Sequence, residues 1–92
     1  MNPATIETVV QAIYCTEGGS HTKHPYGIMQ HYQHTTPKNA CFNTVNHFCV
    51  SHKIVKVDRY FITILSEQYC PPSVDPIGNK NWQHNMIQIL HL

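Results

Sequence analysis

Glu17 is one of five acidic residues in this chain. It stands where an apolar helical run, Ala12-Ile13-Tyr14-Cys15-Thr16, meets Gly18-Gly19-Ser20. A carboxylate at the last turn of a helix faces the negative end of the macrodipole, which disfavours its charge by roughly 0.3–1 kcal/mol. Apolar neighbours (Ile13, Tyr14, Ile28, Met29) would disfavour it further by excluding water. Both effects are expected to raise the pKa of Glu17, which suits a general acid at near-neutral pH. The two glycines let the chain leave the helix through left-handed conformations. The bland alternative is a helix-terminal Glu standing in water.

Eight histidines and four cysteines raise a rival chemistry. His21 and His24, His31 and His34, and Cys49 and His52 each form a close couple. Structural zinc draws four tetrahedral ligands, commonly as two such pairs. No cysteine pair here has a zinc-site spacing, so the expectation is no metal. A cysteine nucleophile needs a helix N-terminus or a cationic neighbour to lower its pKa. Cys41 and Cys49 instead fall on an apolar helical face, and Cys15 and Cys70 near helix ends of the wrong polarity.

The helix-Glu17-Gly18-Gly19 pattern, followed by Tyr26-Gly27-Ile28-Met29-Gln30, resembles the lysozyme-like superfamily and in particular its lytic transglycosylases. In that family a Glu at a helix end is followed by a Gly-Leu-Met-Gln type motif. The resemblance places Glu17 on the catalytic acid and Gly27 to Gln30 on the substrate groove, with Tyr26 and His24 beside it. Gly27 follows Glu17 by 10 residues, a shorter interval than the family's usual loop, and Gly18 stands where the family often has Ser. Downstream, Tyr69-Cys70-Pro71-Pro72-Ser73-Val74-Asp75-Pro76, with Asn81-Trp82 and Asn85-Met86, resembles the Tyr-Ala-Thr-Asp-Pro segment of lysozyme-like glucosaminidases. Tyr69 then takes the place of the tyrosine that lines the cleft opposite the Glu. The transglycosylase Ala-Tyr-Asn segment is not visible.

The resemblance implies a small all-α, lysozyme-like domain over residues 1–92 with a substrate cleft, cleaving the glycan strands of peptidoglycan without a cofactor. Two-carboxylate glycosidases need a second acid at a defined separation. Asp58 and Asp75 are the candidates, and both read more simply as a helix cap and a turn residue. A single-acid route through Glu17 follows, with Tyr69 positioning the sugar or stabilising charge. A non-catalytic glycan- or protein-binding domain of the same fold is the alternative, and a small His/Cys zinc domain the more distant one.

These residues need helices to hold them. Asn2-Pro3 is a start signal, Asn as cap and Pro at the first helical position. Ile6, Val9, Val10, Ile13 and Tyr14 then recur at helical spacing, giving a helix from about residue 3 to 16. Residues 18–35 read as a polar loop. Thr36-Pro37 opens a second helix with Cys41, Val45, Phe48 and Cys49 on its apolar face. Ile54-Val55-Lys56-Val57 leans towards β but is taken as a connection. Asp58 caps a third helix with Phe61, Ile62, Leu65 and Tyr69 facing inward, ended by Pro71-Pro72. A loop through Asp75-Pro76-Ile77-Gly78 leads to a last helix near residues 81–91, carrying Trp82, Met86, Ile89 and Leu90.

Ninety-two residues suit one small domain with a thin core. A net charge of +1 leaves no basic stripe for nucleic acid, and no apolar run is long enough to span a bilayer. A monomer is expected. The four cysteines permit a disulfide-stapled secreted domain. Cys41 and Cys49 lie about 12 Å apart on one helix, beyond the roughly 7 Å reach of a bridge. Two bridges would therefore join Cys15 to Cys41 or Cys49 and give Cys70 the other; the alternative is four small buried apolar side chains. The N-terminus has neither a basic start nor a secretory core. A wall-degrading enzyme of this kind would act outside the cytoplasm after release by another route, as phage lysins are, or after trimming.

Overall fold

Each of four helices begins with a side-chain oxygen accepting the backbone N–H three residues on, which satisfies one of the donors a helix start leaves open. In the computed structural model, which describes residues 1–27 and 35–92, Asn2 Oδ1 accepts from Thr5 N–H at 2.8 Å and opens α1, Pro3–Thr16. Thr36 Oγ1 accepts from Asn39 N–H at 3.2 Å and opens α2, Pro37–Ser51. Asp58 Oδ1 accepts from Phe61 N–H at 2.9 Å and opens α3, Arg59–Tyr69. Asp75 Oδ1 accepts from Gly78 N–H at 2.8 Å and opens α4, Pro76–Leu90. The described residues are all-α, with no strand among them; Ile54 to Val57 is a plain connection.

The last helix corrects the expected boundary, starting five residues before position 81. Asp75-Pro76 carries the same cap-then-proline signal as Asn2-Pro3 and Thr36-Pro37. Gly78 and Asn79 make the stretch look like a turn, yet both serve the helix. A β-carbon on Gly78 would collide with the Asp75 carboxylate, so glycine there leaves the cap its room. Asn79 is buried.

The helix ends are equally local. After α2, Lys53 takes a left-handed conformation at φ 55°; Ile54 N–H donates to Cys49 O at 2.9 Å and Lys53 N–H to Val50 O at 3.3 Å. That is the Schellman pattern. His91 repeats it after α4, at φ 58°, with Leu92 N–H donating to Ile87 O at 2.9 Å.

The chain divides into two units, Met1–Val55 and Lys56–Leu92. In the first, α1 packs on α2, with Ile6, Val9, Val10, Ala12 and Ile13 buried on one helix and Ala40, Cys41, Val45, Phe48 and Cys49 on the other. Each large aliphatic side chain so buried contributes on the order of 1.5–3 kcal/mol. In the second, α3 packs on α4, burying Phe61, Ile62, Leu65, Trp82 and Met86. Ile89, at helical spacing with Trp82 and Met86, is nonetheless 39% exposed.

Cys15 is an exposed thiol and Cys49 a buried one, so the two-bridge arrangement, which needs both, is not formed. Cys41 is also buried and Cys70 partly so; the buried-apolar reading describes Cys41 and Cys49 but not Cys15. Among the described residues no helix is long and apolar enough to cross a membrane.

Candidate functional site

Glu17 is the residue at which α1 stops. Its N–H still donates to Ile13 O at 2.8 Å, its backbone has left the helix at φ −81°, ψ 3°, and the residue is partly buried. Gly18 then takes φ +103° and Gly19 φ +55°, conformations that cost other residues about 1–2 kcal/mol each. Space at Gly19 is tight as well. A β-carbon there would lie 3.2 Å from Tyr14 Cε1. A short 3₁₀ turn, Gly19–His21, completes the reversal.

Tyr14 links this reversal to the downstream motif. Its ring meets that of Tyr26 with centroids 5.1 Å apart and planes at 42°, a tilted arrangement of the favourable kind. Tyr26 sits in a tight turn in which Gly27 N–H donates to His24 O at 3.0 Å, Gly27 having φ +68°. Loss of water around Tyr26 pushes its phenol pKa up, partly countered by the Lys38 charge. Lys38 in turn bonds Glu7 at 2.7 Å, and that hydrogen bond and charge raise the ammonium pKa. Thus Glu17, Gly19, Tyr14, Tyr26 and Gly27 form one connected neighbourhood at the end of α1. His24 is exposed at its edge, its N–H donating to Thr22 Oγ1 at 3.4 Å.

One polar atom here is unsatisfied. Among the described residues, Thr16 Oγ1 is buried without a hydrogen-bond partner. Three other helical threonines return their hydroxyl to the carbonyl four residues back: Thr8 to Ala4 at 3.1 Å, Thr44 to Ala40 at 2.9 Å and Thr63 to Arg59 at 2.9 Å. An orphaned buried hydroxyl costs about 1–3 kcal/mol, and such groups call for a local explanation. Thr16 is the residue before Glu17.

Other expected residues are placed differently. Gln30 lies outside the described residues, with Ile28, Met29, His31, Tyr32 and His34. Tyr69 belongs to the second unit, where its ring stacks on Trp82 at 5.5 Å and 10°. Trp82 is 6% exposed, so it backs Tyr69 and does not itself offer a face to sugar. Asp58 and Asp75 are both occupied as helix caps. Among the described residues, no three His, Cys, Asp or Glu side chains gather as metal ligands would. Sequence reasoning assigned Tyr14 to the core face and passed over Thr16 and Lys38. The spacing of Tyr14, one turn before Glu17, was the available signal.

No known protein family, curated protein or solved structure matches this chain.

Proposed function

We propose that this chain cleaves glycosidic bonds in peptidoglycan glycan strands, with Glu17 as the single general acid and base. The observation that carries the reading is the backbone at Glu17. A partly buried Glu ends α1 ahead of two left-handed glycines, and the second glycine lies against the ring that meets Tyr26. In this reading the constrained turn fixes where the Glu17 carboxyl stands, as a positioned general acid needs.

The Glu17 carboxyl gives its proton to the glycosidic oxygen as the bond to the anomeric carbon breaks. The resulting carboxylate then takes a proton from the incoming hydroxyl as the new bond to that carbon forms. If the hydroxyl belongs to the same sugar, the product is an anhydro-sugar, as in the transglycosylases this chain resembles. If it belongs to water, the product has a reducing end. Tyr26, Gly27 and His24, which follow Glu17 in the same unit, are the groove residues of this reading. No metal or cofactor enters this scheme.

Incubation with purified peptidoglycan, with products resolved by mass spectrometry, tests the reading directly. Anhydro ends or reducing ends support it, and Glu17→Gln should abolish either. Removing a general acid costs on the order of 10²–10⁴ in rate, while the melting temperature should hold or rise slightly, since active-site carboxyls are held at a cost in stability. Full activity in the variant, or its unfolding, would show Glu17 to be irrelevant or structural. Binding to wall fragments without cleavage at any pH from mildly acidic to neutral would leave a non-catalytic glycan-binding domain.

A further inference from the structure

Two turns follow α1, and the hydrogen bonds described for them are all local. In the first, Gly18 N–H donates to Cys15 O at 3.2 Å, His21 N–H to Gly18 O at 3.0 Å and Thr22 N–H to Gly19 O at 3.4 Å. In the second, His24 N–H donates to Thr22 Oγ1 and Gly27 N–H to His24 O. Such bonds shape each turn without fixing one against the other. Gly19 in the first turn and Gly27 in the second both have positive φ, and glycine enters that region as readily as its mirror image. The backbone alone therefore leaves the relation between the turns loose.

A side chain supplies that relation. Tyr14 stands in the last turn of α1, ahead of Glu17. Gly19 is buried, and a β-carbon on it would lie 3.2 Å from Tyr14 Cε1, 3.7 Å from Cζ and 3.8 Å from Cδ1. One edge of the ring thus lies against the first turn. The same ring meets that of Tyr26, in the second turn, at 5.1 Å and 42°. A tyrosine ring hangs on two rotatable bonds, and the backbone of this one is helical, so it is a firm reference for both. We infer that Tyr14 is a positioning residue that couples the turn holding Glu17 to the turn holding Tyr26; this rests on the roles proposed for Glu17 and Tyr26 above. Misplacing a positioned group by about 1 Å can cost on the order of 10²-fold in rate.

Magnetic resonance of protein carrying isotope-labelled glycine and tyrosine reads these contacts without reference to activity. Its signals are the Gly19 amide and the Tyr26 ring, the latter assigned by its loss in Tyr26→Phe. Tyr14→Leu keeps an apolar side chain of good helix propensity and removes the ring. We expect it to move both signals and to lower kcat for wall cleavage by roughly tenfold or more. Tyr14→Phe, which restores the ring, should restore both signals and most of the rate. If Tyr14→Leu does not fold, Gly19→Ala takes its place, since its methyl presses on the ring and should displace the Tyr26 signals through Tyr14. Unmoved Tyr26 signals in that variant overturn the inference. In Tyr14→Leu, movement of neither signal or of only one overturns it, as does an equal loss in Tyr14→Phe. So do moved signals with kcat intact. If the wild type cleaves nothing, the proposed function fails by itself, and the spectra still decide whether Tyr14 couples the two turns.

Discussion

The two helix pairs of this chain are held in different ways. Between α1 and α2 the buried side chains are Ile, Val, Ala, Cys and Phe, with the Glu7–Lys38 pair half-exposed at the edge. Between α3 and α4 a polar ladder runs from Thr63 and Gln83 through Asn79 to Ser66 and the Cys70 carbonyl, beside Leu65 and Met86. Apolar burial has no direction and tolerates changes that conserve volume. Hydrogen bonds have direction, and leaving one buried partner alone costs more than the bond itself contributes. The first pair therefore secures stability, and the second secures alignment. The neighbourhood of Glu17 obtains its geometry by neither route, but from two glycines and two tyrosine rings in tilted contact.

The largest stability effect should come from the apolar pair. Ile13→Ala should lower unfolding free energy by about 2–5 kcal/mol, and Ile13→Val by only about 0.5–1.5 kcal/mol, both read by denaturant unfolding. Equal losses would mean that the shape of Ile13 matters as much as its volume, and the contrast between the pairs would fade.

Next comes the ladder. Gln83→Leu conserves bulk but leaves Asn79 Oδ1 without its donor, and should cost about 1–3 kcal/mol. A neutral or stabilising outcome would show the ladder to be dispensable. It would move the basis of alignment to Phe61, Leu65 and Trp82.

A smaller effect of opposite sign is expected at Thr16. Thr16→Val deletes the orphaned hydroxyl and keeps the branched shape, so stability should rise by up to about 1 kcal/mol. If that variant also cleaves wall material more slowly, the hydroxyl has a task beside Glu17. If it is destabilised, the hydroxyl has a partner in solution.

The smallest effect is set by pH. Tyr26, chiefly through lost water, and Lys38, chiefly through its bond to Glu7, both hold their protons more tightly when folded than their ordinary 10.0 and 10.5. Their contribution is thus complete below those values and disappears as pH rises through the raised ones. Melting temperature should fall across that alkaline window, and Lys38→Met should lessen the fall. Being exposed, the Lys38–Glu7 pair should matter little at moderate salt, and a large loss from Lys38→Met at neutral pH would contradict this.

Much of the helical frame was legible because its signals are local. Asn2, Thr36 and Asp58 each bond within three residues of themselves, and the prolines after the first two fit only a helix start. The same signal at Asp75-Pro76 was masked by Gly78 and Asn79, residues common in turns. The reversal after Glu17 was legible for the same reason, two adjacent glycines having few other uses at a helix end. Tyr14 was legible as an apolar neighbour of Glu17, but its contact with Tyr26 was not, since an aromatic residue on an apolar helix face reads as core.

By itself, then, the sequence determined where three of the four helices begin, which faces are largely apolar, and where Glu17 stands on its helix. These depend on groups within about four residues of one another, where covalent geometry leaves few choices. The tertiary structure alone decided that Asn79 reaches Ser66 and Cys70, that Gln83 meets Thr63 across 20 positions, and that Trp82 is hidden behind Tyr69. Those pairings depend on how two helices align after a turn. An amide or an indole looks the same in sequence whether it faces water or a partner.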